Sequence, residues 1–274
     1  MDIKNSPLKA SLTVAAMTVA SLLTASFAQA NTQNEVQVRA IDFEGIDDTL
    51  YGGSFTRYTS TLKGNSGAYL ISPYLQRVSS FSGGYNNIDG TDIFTLGTTL
   101  YLNEEWMMSI DGTYADFDYD FGDSDSTDID VKVGYNLSRE WQVGAGFLYS
   151  EQNFNGIIDG ERFSGRENDN AILAFTRYTT VGKSGTGWDL LAEYISDDAD
   201  VIRGSARYFF NPGLSVAGTY AHINAPGDFE NGNEIGVEVD YWLNEQFSVK
   251  AGYQRQVDSD IDADVLSLGA TYRF

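Results

Sequence analysis

Cysteine is absent from all 274 residues, which excludes both a disulfide framework and a thiolate metal centre. Histidine occurs once, at His222, so no second imidazole exists to complete a zinc site or a paired protonation switch. Basic residues are outnumbered 17 to 39 by acidic ones, and a chain of net charge −22 repels a phosphate backbone, so nucleic acid is not an expected partner. Beyond the N-terminus there is no apolar run long enough to cross a bilayer as a helix. Proline is scarce, at four residues. Glycine (28), tyrosine (17) and phenylalanine (16) are abundant instead, a composition that suits many twisted strands joined by turns. That aromatic content also argues against a disordered acidic chain.

The first thirty residues read as an export signal. Lys4 and Lys9 are followed by a small, apolar stretch from Ala10 to Phe27 and by the small-x-small site Ala28-Gln29-Ala30. The cleavage site and the Ser and Thr content argue against a transmembrane helix here. The expected division is a signal peptide over 1–30 and one domain over 31–274, with a net charge of −23 once Lys4, Lys9 and Asp2 are removed.

Period-two alternation runs through the rest. In the last strand Leu266, Leu268, Ala270, Tyr272 and Phe274 share one face, opposite Val265, Ser267, Gly269, Thr271 and Arg273. Ile129, Val131, Val133, Tyr135 and Leu137 oppose Asp128, Asp130 and Lys132, and Ile235, Val237, Val239 and Tyr241 oppose Glu234, Glu238 and Asp240. Parity alone fits a soluble sandwich as well as a membrane barrel. The terminal Tyr272-Arg273-Phe274 resembles the end of bacterial outer-membrane β-barrels. In that family the last strand is read by the barrel-assembly machinery, which makes Tyr272 and Phe274 the implied assembly signal.

Tight turns divide the chain at Leu102–Trp106, Leu137–Trp141, Gly182–Trp188, Phe210–Leu214, Leu243–Phe247 and around Leu62–Gly67. Longer polar stretches such as Tyr119–Thr127, Asn155–Glu167 and Ala225–Gly232 lie between them. Short turns alternating with long loops is the asymmetry of an outer-membrane barrel. Six turns and seven loops require fourteen strands, with twelve as the alternative. Trp106, Trp141 and Trp188 each open a strand after a turn, where an interfacial aromatic girdle sits. Alternation is irregular at Ile41–Phe43 and Ala171–Thr180, and Pro73 falls inside the expected third strand. Phe55-Thr-Arg-Tyr-Thr59 recurs as Phe175-Thr-Arg-Tyr-Thr179, either as convergent rim sequence or as a duplicated hairpin.

The layout resembles small Gram-negative porins, in particular the monomeric fourteen-stranded kind typified by outer membrane porin G. The resemblance implies an all-β transmembrane barrel in the outer membrane through which small hydrophilic solutes and ions diffuse. A non-conducting structural or adhesive barrel is the alternative. No long inward-folded loop is expected. Small residues on the inner parity (Gly144, Gly146, Ser248, Gly252, Ser267, Gly269) favour an open bore. Parity assigns to the pore wall the cations Arg39, Arg57, Lys132, Arg177, Arg203 and Arg207, with Lys250 and Arg273. Against them it places Asp111, Asp128, Asp130, Asp189 and Glu193, with Glu234, Glu238 and Asp240. Arg39, Arg57 and Arg273 are expected to face Asp111, Asp128 and Asp130 across the bore.

Catalysis has little support. Tyr220-Ala-His222-Ile-Asn224 matches neither the His-x-Ser-Asn-Gly of outer-membrane phospholipases nor the Asp-x-His of omptin proteases, so no enzyme and no cofactor are expected. The aspartates at 116, 118, 120, 123, 125, 128 and 130, and at 258, 260, 262 and 264, fit no EF-hand pattern. Loosely bound divalent cations bridging lipopolysaccharide phosphates are the furthest these acidic loops extend. The expected partners are outer-membrane lipid, lipopolysaccharide, the assembly machinery and small solutes.

Overall fold

The computed structural model describes residues 32–43, 48–64, 67–119, 122–158, 161–197, 200–224, 232–257 and 264–274. The proposed signal peptide and most of the second acidic run lie outside them. Fourteen strands follow one another: β1 (Thr32–Phe43), β2 (Asp48–Leu62), β3 (Ser80–Ile88), β4 (Thr91–Tyr101), β5 (Trp106–Tyr119), β6 (Gly122–Asn136) and β7 (Trp141–Ile158) form the first half. The second half is β8 (Glu161–Thr179), β9 (Gly187–Ser196), β10 (Asp200–Asn211), β11 (Leu214–Asn224), β12 (Gly232–Trp242), β13 (Phe247–Val257) and β14 (Asp264–Arg273). Each pairs antiparallel with the next, and β14 pairs with β1, so the sheet closes and no edge is left. The seam continues into Phe274, whose carbonyl accepts from the amides of Gln33 and Asn34 and whose amide donates to the Asn34 carbonyl. Fourteen strands, not twelve, is the count.

The two faces of the wall separate as parity predicts. Val38, Leu96, Ile172, Ile202, Val237 and Leu268 stand exposed on the outside, while Glu35, Arg207, Glu238, Asp240 and Arg273 are buried on the inside. A soluble sandwich hides its apolar face, so this inversion identifies a lipid-facing surface. Trp106, Trp141 and Trp188 are exposed on the outer face at the end bearing the chain's described termini, together with Tyr272 and Phe274, whose rings stack at 5.8 Å.

Two expectations fail in instructive ways. The stretches 122–127 and 155–158 with 161–167 are not loops. They are paired strand, because β5–β6 and β7–β8 continue as long hairpins. β7 and β8 run to 18 and 19 residues, well beyond the ~9–11 needed to cross a bilayer. Pro73 is not in a strand either. Residues 63–79 form one connection between β2 and β3, and Pro73 opens its short helix α1 (Ser72–Leu75), where a missing N–H is harmless. The third strand starts only at Ser80.

Irregular alternation also has a cause. Ile41 is buried inside the barrel, as is Leu50. Ala171, Leu173 and Phe175 face inward and pack with Ile195, Met107 and Leu148, so β8 is apolar on both faces and shows no clear period.

Candidate functional site

The functional surface of a barrel is its inner wall, and cross-strand register fixes which residues share it. Starting from buried Glu35, the pairings Arg39↔Gly269, Gly269↔Lys250 and Lys250↔Asp240 place Arg39, Lys250 and Asp240 on one inner row. Glu193↔Arg203 and Asp111↔Asp130 extend the inner face round the wall. Asp128, Lys132, Arg177, Asp189, Arg207, Glu234, Glu238 and Arg273 share it by the same register.

Six of these cations are paired with carboxylates. Lys132 bridges Asp130 at 2.9 Å and Glu193 at 3.5 Å, and Arg203 also bonds Glu193. Arg177 grips Asp189 through Nε and Nη2, each at 2.9 Å. Glu238 accepts from both Arg207 and Lys250, and Arg207 Nη1 reaches Ser215 Oγ at 2.9 Å. Arg273 pairs with Glu35, which also accepts from the Tyr58 hydroxyl. The wall is thus largely self-neutralised. Such pairs orient water and dipolar solutes without presenting a strong net charge.

The expected field between three arginines and three aspartates is not built. Arg57 lies on the outer face, exposed, with Nη1 on Asn34 Oδ1 at 2.7 Å and Nη2 on Gln33 Oε1 at 3.0 Å. Arg273 is neutralised by Glu35, and Asp130 by Lys132. The two Phe-Thr-Arg-Tyr-Thr copies explain the misplacement. In β2 Phe55 and Arg57 point out and Thr56 and Tyr58 point in, whereas in β8 Phe175 and Arg177 point in. A one-residue difference in phase exchanges every side chain between faces, so identical pentapeptides occupy opposite environments.

Some of the inward glycines make room for a neighbouring side chain. A Cβ at Gly144 would strike the Phe175 ring, and one at Gly134 would come within 3.2 Å of it. Gly252 would meet Ser267 Oγ at 2.6 Å. The missing side chains make room for neighbours already there.

The largest feature missed from sequence is the segment 63–79. It leaves the wall between β2 and β3 and reaches the far side of the barrel. Ala68, Leu70 and Ile71 are buried against Phe209 of β10, with Leu75 and Val181 beside them. Tyr69 donates its amide to the Pro212 carbonyl at 2.8 Å and sets its ring 6.3 Å from that of Trp242 on β12. Desolvation first, and the Glu245 charge second, push the Tyr69 phenol above its ordinary value. Tyr74 lies beneath the Arg177 guanidinium at 3.7 Å, with Arg77 at 4.5 Å from the same ring. Arg273 stacks on Trp242 at 4.0 Å and reaches toward the Tyr69 carbonyl at 3.4 Å. Gln76 ties the segment's exit to its entry through the Lys63 amide and carbonyl. Contacts to β4, β8, β10, β12 and β14 place this segment across the opening at that end. Its sequence signal was Pro73 inside a supposed strand.

His222 faces outward, with Nδ1 3.0 Å from Asn233 Oδ1, and no acid or nucleophile is drawn to it among these contacts. Asp116 and Asp125 face each other on the outer side of the β5–β6 hairpin, while Asp128 and Asp130 face in. Among the described residues no three acidic or histidine side chains converge on a point that would hold a metal.

Comparison with known proteins agrees with this architecture. The family profile described as Gram-negative porin matches residues 74–274. The outer membrane protein Omp33 of Acinetobacter baumannii superposes with a TM-score of 0.65 at 18% identity, covering 89% of this chain and 98% of that one. The CymD monoaromatic hydrocarbon channel superposes with a TM-score of 0.57 at 9% identity, covering 93% and 91%. At these identities the likeness is one of fold. A search of curated protein sequences found no match.

Proposed function

We propose that this chain, which belongs to the Gram-negative porin family and is a channel of the outer membrane, passes small hydrophilic solutes and ions by passive diffusion. The observation that carries the reading is the segregation of the wall. Paired charges and short polar side chains line the inside, and an apolar surface with an aromatic rim covers the outside. In family orientation the termini and residues 63–79 lie at the periplasmic end, so that segment is the narrowest part of the route. The outer surface meets lipid, and the β5–β6 and β7–β8 hairpins project toward lipopolysaccharide. Their carboxylates are suited to divalent ions held loosely between phosphates.

The seating of residues 63–79 across the periplasmic end gives the non-conducting structural barrel its one specific support. Liposome swelling separates the two readings. A channel admits neutral monosaccharides and slows sharply with larger oligosaccharides. A structural barrel admits none.

A further inference from the structure

Seven cations face inward from the strands among the described residues, and six of them have a carboxylate within 4.0 Å: Lys132, Arg177, Arg203, Arg207, Lys250 and Arg273. Arg39 is the exception. Its Nε and Nη2 both donate to one neutral oxygen, Asn86 Oδ1, at 3.0 and 2.7 Å, and Nη1 makes no hydrogen bond among the described residues. Every other inward cation among the described residues has a carboxylate of the protein beside it, so this one is left to something that arrives.

The surroundings form a recess. Gln37, Arg39, Ser54, Asn86 and Thr95 line a small hollow in the β1–β4 wall, of about 10 Å³, the size of a single water. The hollow depends on two glycines. A Cβ at Gly52 would collide with the Asn86 amide that holds Arg39, and one at Gly84 would come within 2.7 Å of Thr95 Oγ1 and 3.2 Å of Ser54 Cβ. Around the guanidinium stand two carboxamides and two hydroxyls, groups that both donate and accept hydrogen bonds. Among the described residues no carboxylate lies within ion-pair distance of it.

We infer that Arg39, beside this hollow, is a binding subsite for the carboxylate end of a small hydroxylated acid whose remainder lies in the lumen, taken from the passing stream of solutes. Arg39 supplies a planar fork matched to a carboxylate's two oxygens. Gln37, Ser54 and Thr95 supply partners for adjacent hydroxyls. A subsite of this kind slows a solute briefly without trapping it, as permeation requires.

The inference rests on the channel reading, and its test keeps the two apart. Saturation-transfer NMR on the detergent-folded barrel, titrated with potassium gluconate and separately with sorbitol, reads binding without transport. Reversal potentials in planar bilayers, with gluconate replacing chloride, read passage. Wild-type protein should saturate with gluconate and not with sorbitol. Arg39→Gln should weaken the gluconate affinity by about tenfold or more, the loss of one charge-assisted contact, and lower the gluconate-to-chloride permeability ratio. Ser54→Val, which fills the recess and leaves the charge, should weaken affinity likewise, while Arg57→Gln on the outer face should change nothing. Equal gluconate titrations for wild type and both recess variants, or no saturation in the wild type, would overturn the subsite. A bilayer without current, beside a titration that still depends on Arg39, would overturn the channel and leave the subsite standing.

Discussion

Arg273 and Glu35 form the most deeply enclosed ion pair in the wall, at 0% and 1% side-chain exposure. Removing one partner of such a pair strands the other charge, at a cost of about 3–5 kcal/mol, whereas replacing both with apolar residues is often neutral. Arg273→Met should therefore lower the urea midpoint of the folded barrel, followed by its heat-modifiable gel shift. The double variant Glu35→Leu with Arg273→Met should recover most of the loss. A single variant as stable as wild type would show that the pair contributes nothing at the β1–β14 seam. One position later, Phe274 stacks on Tyr272 outside the same seam. Deleting Phe274 should leave export intact and reduce the amount of folded barrel in the outer membrane, and unchanged levels would refute its role as assembly signal. Residue-level parity was legible in sequence wherever the outer face is strictly apolar, as along β12 and β14. It failed at Arg57, because a neutral Gln33–Asn34 pair at the outer rim accepts a guanidinium as readily as the lumen does.

At the scale of elements, strands were readable and the one non-strand insertion was not. Ala68, Tyr69, Leu70, Ile71, Tyr74 and Leu75 make this stretch apolar because α1 and its flanks pack against the barrel interior, and burial in protein reads in sequence like burial in lipid. Only Pro73 contradicted the strand assignment. The segment's seat combines apolar packing with cation–π contacts, yet Tyr74 Oη, Trp242 Nε1 and Arg273 Nη2 are buried there without a hydrogen-bond partner. Each such group costs about 1–3 kcal/mol, so the seat is held less firmly than its contacts alone imply. Arg177→Gln removes the cation over Tyr74 and frees Asp189. Its channel should flicker more often in single-channel records than wild type, and an unchanged record would show that the Arg177–Tyr74 stack does not hold the segment.

For the whole molecule, charge is the quantity that sequence and structure together locate. The inward strand cations among the described residues are compensated apart from Arg39, so most of the net −22 is carried outside the bore, much of it on the projecting hairpins and their neighbours. An acidic mouth concentrates cations within about a Debye length, ~10 Å at 0.1 M salt. Bilayer reversal potentials in potassium chloride should show a weak cation preference that fades as salt rises, and anion preference at low salt would contradict this. The barrel class, the closed topology and the two-faced wall were all legible from alternation, turn spacing and the terminal strand. The effective bore was not, because fourteen strands fix the wall's circumference while residues 67–79 sit across one end of it. The most direct measurement is therefore a paired one: single-channel conductance in planar bilayers of the wild-type protein and of a variant in which residues 64–78 are replaced by a short Gly-Ser turn. A channel narrowed at its periplasmic end gives discrete openings in both, with conductance raised by about twofold or more in the variant, as the wider fourteen-stranded lumen takes over. Equal conductances would show that the segment does not limit the pore, and silence from both proteins would contradict the channel itself.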